Sequence, residues 1–316
     1  TLAYRSSTQF YLDDKKNGQP WVTKLPFPVQ VVSQSEIFDE IAKSCFVTTY
    51  SYHHGYYDHA EREFRGFGRV DELDAETYSK FVRGNGGNIT DETLHQAPVL
   101  TKTWFHTGAI IPKAKILKQF GDEYFSNSSF TEYHLPDAYV ELPTGMKIED
   151  LPAAEYLESF RALKGMMLRK EVYAVDGSEM EALPYCVTEE NGYIKMLQPR
   201  GGNKYAVFIR ATSESISYCY ERVPSDPRIK HDFNLDIDEF NNIVVAANVV
   251  YPRMINNPGF PADLQQEIDV LPPTVKSAQA AIHIIINGNT YTNDINTPAD
   301  YRVRSTAATQ VWELTG

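Results

Sequence analysis

The segment YSYHHGYYDHAEREFRGFGRV, Tyr50 to Val70, constrains this chain more than any other, because it packs aromatics, glycines and paired opposite charges at strand-like spacing. It does not read as a helix. Phe46, Tyr50 and Tyr52 fall on one period-two face, Gly55 breaks the run, and Phe64 to Val70 alternates aromatic, charged and glycine positions as strands and turns do. From Val29 to Val70 the chain is expected to be mostly extended, with Glu36–Ile41 and Phe46–Tyr52 forming a hairpin closed near Ala42 to Ser44.

The composition supports a β-rich protein. Among 316 residues, 42% are hydrophobic, enough for a folded core, and the 20 Tyr and 16 Phe favour strands, where flat rings pack across neighbours. Length alone suggests about two domains. A formal charge of −12 repels a phosphate backbone unless a local basic patch overrides it. The densest basic stretch, Lys113 to Lys118, holds three lysines among apolar residues and is followed by Asp122 and Glu123, so nucleic acid is excluded as a partner. Cys45, Cys186 and Cys219 are too few and too widely spaced for a disulfide framework or a zinc pattern, and each sits between apolar or aromatic neighbours. Buried, inert thiols made in a reducing cytoplasm are expected. The longest apolar run, Ala280 to Ile286, is interrupted by His283 and falls far short of the roughly 20 residues of a spanning helix, so membrane insertion is not expected.

Further along, Asp71 to Pro98 is polar and acidic, and RGNGGN (Arg83 to Asn88) predicts an exposed loop. A helix is predicted over Leu151 to Lys164, with Asp150 as cap, Pro152 in the first turn and Gly165 at its end. Four short strands should follow, punctuated by Asp176-Gly177, Asn191-Gly192 and Gly201-Gly202 turns. A second helix is expected near Ala262 to Asp269, and the strand Ala281 to Ile286 should turn at Asn287-Gly288.

Several clusters invite a chemical reading. His53, His54, Asp58 and His59 are ordinary metal-ligand types, but neighbours on a strand point to opposite faces, so His53 and His54 should not meet one ion; backbone hydrogen bonds at a strand end are expected instead. Glu61-Arg62-Glu63 with Arg5 and Ser7-Thr8 mimics elements of ADP-ribosyltransferases, yet Arg5 and Ser7 are too close in sequence to occupy separate strands. Cross-strand ion pairs of Glu61, Arg62, Glu63 and Arg65 beside Phe64 and Phe67 are the simpler expectation. No nucleophile elbow, phosphate loop or dinucleotide fingerprint occurs, so no catalytic, metal or cofactor residues are assigned and a non-enzymatic role is expected. Trp21, Trp104 and Trp312 could alternatively form the sugar-stacking face of a stand-alone carbohydrate-binding β module.

The Tyr50–Val70 stretch resembles the B subunit of bacterial insecticidal toxin complexes (Tc toxins), in the part belonging to the Rhs/YD-repeat architecture. FYLDDKKNGQPWVTKLPFPVQVV (Phe10 to Val32), PVLTKTWFHTGA (Pro98 to Ala109), ALPYCVTE (Ala182 to Glu189), SISYCYERVPSDPRIKHDFNLDIDEFNNI (Ser215 to Ile243) and the tail from Tyr291 resemble the same family in the same order. Residues 238–242 stand where a YD-type repeat places its turn, with Asn242 in the glycine position, a substitution that a left-handed backbone tolerates. On this resemblance Tyr52, His53, His54, Gly55, Tyr57, Asp58, Glu61, Arg62, Phe64, Arg65, Gly66, Gly68, Trp104 and His106 are structural motif residues.

The resemblance implies a mainly β fold: a curved antiparallel shell segment with one or two short helices. Residues 1–110 would carry the motif, 111–165 an irregular insertion, and 166–316 a meander with degenerate YD-type repeats. It implies a non-enzymatic wall that encloses the cytotoxic part of the C subunit. The partners would be the C subunit with its effector, the remainder of the B subunit and, indirectly, the A-subunit pore. The chain starts at Thr1 without methionine and is expected to be an excised piece of a longer polypeptide, made in the bacterial cytoplasm and released as a toxin component.

Overall fold

The computed structural model describes residues 1–41, 44–74, 96–109, 113–254, 260 and 262–314. In chain order its elements are β1 (Leu2–Ser6), α1 (Ser7–Lys16), β2 (Gln30–Asp39), β3 (Ser44–Asp58), β4 (Glu63–Leu73), β5 (Val99–Phe105), α2 (Lys113–Glu123), β6 (Tyr139–Glu141) and α3 (Ala153–Arg161). They continue with β7 (Met167–Ala174), β8 (Cys186–Gln198), β9 (Val207–Cys219), β10 (Arg228–Ile237), β11 (Ile243–Val250), α4 (Ala262–Asp269), α5 (Pro273–Gln279), β12 (His283–Tyr291), β13 (Ile295–Asn296), β14 (Tyr301–Arg302) and β15 (Thr306–Leu314). The fold is mainly β, as expected. The expected loop at Arg83 to Asn88 and the hairpin tip at Ala42 and Lys43 lie outside the described residues.

The chain divides into two units, Thr1–Ser128 with Tyr156–Val187, and Ser129–Glu155 with Thr188–Gly316. In the first unit the strands run β1-β2-β3-β4-β5-β7, each antiparallel to the next. The expected hairpin is present, with Glu36 opposite Val47 and Asp39 opposite Ser44. Two helices beyond the expected ones join this unit. α1 is polar along most of its length, so it carries no apolar stripe; it buries Ser7, Phe10 and Asp14, and Ser6 caps it by accepting the Thr8 amide. α2 lies in the stretch from which only a weak basic patch was read, and its Ile116 and Phe120 pack with Trp104 and Ala109 into the core. α3 is shorter than the expected helix. Asp150 does not cap it but sits in a 3-10 turn, Ile148–Asp150, accepting the Lys147 amide at 3.2 Å.

In the second unit the order is β8-β9-β10-β11-β12-β15, with β6 parallel beside β8. Two expected turns are instead strand interiors, because side chains satisfy what a turn would otherwise need. Asn191 lies within β8, where its side-chain oxygen accepts the Glu214 amide at 3.0 Å and its nitrogen donates to Pro136 O at 3.2 Å. The expected four strands of this region are therefore three. Asn287 donates to Asn248 Oδ1 at 2.9 Å inside β12, and Gly288 is paired with Gln310 where the Trp312 ring covers it; a Cβ there would fall 2.8 Å from the ring. Gly177 and Gly201 do adopt positive φ, 70° and 51°, as turn residues. At the degenerate repeat the left-handed residue is Asn241, φ 67°, one position before the expected Asn242, because Asp238 Oδ1 accepts the amides of both Phe240 and Asn242. Burial of all three thiols does not hold: Cys45 is exposed near the hairpin end, and Cys186 and Cys219 are half-buried.

Candidate functional site

The β3–β4 pair sets the frame: Ser51 lies opposite Asp71, Tyr52 opposite Val70, His53 opposite Arg69 and Gly55 opposite Phe67, with a register shift after Tyr56. Arg69 and Asp71, two apart on β4, share a face, and Arg69 grips Asp71 with Nε and Nη2 at 2.8 and 2.7 Å. The remaining Arg69 nitrogen, Nη1, donates to Glu123 on the last turn of α2 at 2.9 Å. Glu123 also accepts Trp104 Nε1 at 3.2 Å and lies 2.8 Å from His54 Nε2. On the other side, His53 Nδ1 meets Asp14 of α1 at 2.7 Å, and Asp14 accepts Trp21 Nε1 at 2.5 Å. Three carboxylates thus face one guanidinium and two imidazoles, joining both helices to three strands.

This network is nearly closed to water: the Arg69, His53, Asp71 and Glu123 side chains are 11 to 15% exposed. Burial penalises the Asp71 charge, but bonds from His53 and Arg69 outweigh it and hold its carboxyl well below the usual range. Glu123 is lowered for the same reason, by His54 and Arg69 against burial. Burial pulls His53 down, yet the Asp14 and Asp71 hydrogen bonds prevail and raise its pKa. His53 therefore bonds to a carboxylate from another segment, not to backbone as expected, and His54 Nε2 lies beside Glu123. The alternation argument also fails at one point, since His54 takes φ 56° and leaves regular strand geometry.

The other motif residues surround this network. Tyr52 packs between Phe10 and Phe67, with ring centroids 5.7 and 4.9 Å away, and Gly55 gives room to Trp21, whose ring would lie 2.9 Å from a Cβ. Tyr57 packs against Phe27 and His59. Asp58 accepts the Ala60 and Glu61 amides at the β3–β4 turn, where Arg62 takes φ 55°. Buried Arg65 reaches Asp58 and Glu63 at 3.1 and 3.2 Å. Glu63 also binds Lys164 at 2.9 Å, and Glu61 meets Arg161 at 3.5 Å. The expected cross-strand pairing of Glu61, Arg62, Glu63 and Arg65 with one another is not what forms: Glu63 and Arg65 share β4, Arg65 crosses to Asp58 of β3, and Glu61 and Glu63 reach Arg161 of α3 and Lys164 after it. Phe64 stacks edge-on to Phe67, Gly66 takes φ 93°, Gly68 lies under Phe120, and His106 accepts the Gly108 amide and lies against Phe160.

The suggested metal quartet does not converge: His53 and His54 face different carboxylates, Asp58 serves the turn, and His59 packs on Tyr57. The ribosyltransferase-like residues do not converge either, since Arg5 bonds Gln9 and Asp13 in α1. Of the three tryptophans proposed for sugar stacking, Trp104 is fully buried and Trp21 nearly so, leaving Trp312 half exposed. Sequence reading missed Asp14, Arg69, Asp71 and Glu123 as a unit; only the same-face spacing of Arg69 and Asp71 was a visible signal. In the second unit, a cavity of about 570 Å³ is lined by aromatics including Phe130, Tyr218, Phe233 and Tyr251, with His231 and Glu214 at 3.2 Å. Among the described residues, Glu132, His134 and Glu189 are the group placed to share a metal ion.

Paired buried charges, glycines that make room for rings, and long antiparallel strands define a β scaffold whose motif residues hold elements together. The chain belongs to the B-subunit family of insecticidal toxin complexes: the insecticide toxin TcdB middle/N-terminal region matches residues 1–108 and the middle/C-terminal region matches residues 158–303. It is similar to the crystal structure of TcdB2-TccC3, with 27% identity and a TM-score of 0.71 over 99% of this chain and 15% of that one. Against TcdB2-TccC3 without its hypervariable C-terminal region the values are 28% and 0.74, over 99% of this chain and 14% of that one. The Photorhabdus luminescens Tc holotoxin pore gives 28% and 0.72 over the same shares. The chain therefore spans about one-seventh of the solved chains it matches. No curated protein sequence matches it.

Proposed function

We propose that this chain is a length of wall in the hollow β shell that the B subunit builds with the C subunit, and that it contains the C subunit's cytotoxic part before translocation through the A-subunit pore. The observation that carries this reading is the match over 99% of the chain to a B–C complex structure, TcdB2-TccC3. The role is containment without catalysis. A partly folded cargo exposes apolar surface that aggregates, and a closed wall isolates it. Residues 1–110 and 166–316 would supply the wall strands, and 111–165 the segments laid against them.

The wall reading also accounts for exposed sheet edges. β1 shows Leu2 and Tyr4 at 55 and 61% exposure, and β15 shows Val311, Trp312 and Leu314 at 62, 50 and 54%. Bare apolar edges invite pairing, and the remainder of the B subunit and the C subunit are the partners that would cover them. Among the described residues no helix is long and apolar enough to cross a membrane. The toxin component would act after release from the producing bacterium.

The test uses the intact B subunit with Cys45, Cys186 and Cys219 replaced by Ser. Gln310→Cys and Val311→Cys are introduced separately, because adjacent strand residues point to opposite faces. Both should react with a polymer-linked maleimide in the free subunit. In the complex with the C subunit, one should be protected as lumen-facing while its neighbour still reacts. Undiminished reaction at both positions would count against a closed wall here.

A further inference from the structure

The second unit contains a constellation that the wall role does not use. Between Ser129 and Pro136 the chain has no regular secondary structure, and its side chains divide: Phe130, Thr131 and Tyr133 line the 570 Å³ cavity, while Glu132 and His134 lie beside Glu189 of β8. The ligating atoms of Glu132, His134 and Glu189 all lie within 4.8 Å of one another. We infer that these three side chains form a binding site for a divalent transition-metal ion, with Zn²⁺ as the fitting case, that clips this segment to the sheet. The inference goes beyond the containment role and does not depend on it.

The donor set has the chemistry of such a site. Zinc takes imidazole and carboxylate ligands at about 2.0–2.1 Å, which places tetrahedral donors roughly 3.3 Å apart. His134 Nδ1 and Glu189 Oε1 are already 2.7 Å apart, so exchanging the shared proton for an ion requires opening by only about half an ångström on that geometry. The carboxylates are aimed from behind: Tyr220, itself 2% exposed, donates its hydroxyl to Glu132 Oε1 at 2.6 Å, and the Leu135 amide donates to Glu189 Oε2 at 3.2 Å. Such outer hydrogen bonds orient ligands and raise affinity. Glu189 is buried at 7% side-chain exposure, whereas His134 is 58% exposed, which gives an ion a route in and leaves a position for water. An imidazole with two carboxylates suits zinc, cobalt, nickel or manganese better than calcium, which takes six to eight oxygens.

Bound there, the ion would connect this segment to β8 and, through Tyr133, whose amide donates to Tyr218 Oη at 3.0 Å, hold one wall of the aromatic cavity. The test compares the intact B subunit with His134→Ala and Glu132→Gln, each stripped with chelator and then equilibrated with ZnCl2. Wild type should retain one more zinc per chain than either variant after gel filtration. Amides of residues 129–137 should exchange about ten-fold more slowly at ten times the dissociation constant, in wild type alone. His134→Ala also removes the 2.7 Å contact to buried Glu189, so each protein is compared with its own chelated form, and Glu132→Gln, which keeps both that contact and the Tyr220 acceptor, separates metal binding from it. Equal zinc content in all three proteins, or zinc that leaves exchange in this segment unaltered, overturns the inference.

Discussion

Gly68→Ala isolates one close contact between β4 and α2. A Cβ at Gly68 would lie 2.5 Å from Phe120 Cζ, 3.0 Å from Cε1 and 3.1 Å from His54 Cβ. Carbon atoms pack best near 3.5–4.0 Å, so ring or helix must retreat by roughly 1 Å. Phe120 is fully buried among Trp104, Ala109 and Ile116, and the void beside it, about 10 Å³, holds little more than a methyl group's displacement. Overpacking of this kind costs about 1–3 kcal/mol. Glu123 lies one turn further along α2, so a helix shift also stretches its bonds to Arg69, His54 and Trp104, and the upper part of that range, about 2–3 kcal/mol, is expected.

Hydrogen exchange measured by mass spectrometry on the intact B subunit should show amides of β3, β4 and α2 exchanging roughly 30- to 150-fold faster, at 1.36 kcal/mol per decade. Phe120→Leu shortens the opposing ring. The double variant should therefore be less destabilised than the sum of the single effects by about 1 kcal/mol or more. Gly66→Ala serves as the contrast: nothing lies within 4 Å, but φ is +93°, so its cost of about 1–2 kcal/mol is conformational and Phe120→Leu should not relieve it. Strict additivity of Gly68→Ala with Phe120→Leu, or wild-type exchange in Gly68→Ala, would refute the contact as the cause.

Arg69→Met leaves Asp71 and Glu123 without their guanidinium and should destabilise the first unit by about 3 kcal/mol, the low end for a broken buried pair because the cluster is not wholly dry. Adding Asp71→Asn and Glu123→Gln should restore part of the lost protection; no recovery would mean that packing, not charge, was lost. The network should also set a pH window. The raised His53 pKa stabilises below the ordinary 6.5 and is lost as pH rises through the folded value, whereas lowered Asp71 and Glu123 stabilise above 3.8 and 4.5 and are lost as pH falls. Protection of β3 and β4 amides, corrected for intrinsic exchange, should therefore peak between those limits, and a flat profile would contradict this. At the Asp238 turn, Asn241→Gly should stabilise by up to about 1 kcal/mol, since only that residue is left-handed, while Asn242→Gly should destabilise by about 1 kcal/mol by deleting its bond to Asp238. Thermal unfolding of both variants decides it, and the reverse order would restore the glycine role to Asn242.

The β character, the hairpin of β2 with β3 and the family were legible because alternation and motif order are written along the chain. α1 was not, since a helix that buries Ser7, Phe10 and Asp14 has no apolar stripe to read; α2 does carry one, Ile116, Leu117 and Phe120 at helical spacing, set among the lysines that drew attention to its charge instead. Asn191-Gly192 and Asn287-Gly288 look like turns locally; partners in neighbouring segments supply the hydrogen bonds and the covering ring that keep them extended.

Sequence alone determined which residues tend to be extended, because side-chain alternation needs only neighbours two positions away. It also marked Glu61, Glu63 and Arg65 as ion-pairing groups, though not their partners. What only the tertiary structure decided is which charges meet. Asp14, His53, Arg69 and Glu123 span more than a hundred positions, and their pairing exists because strand register and two docked helices bring them within 3 Å while excluding the water that would otherwise screen them.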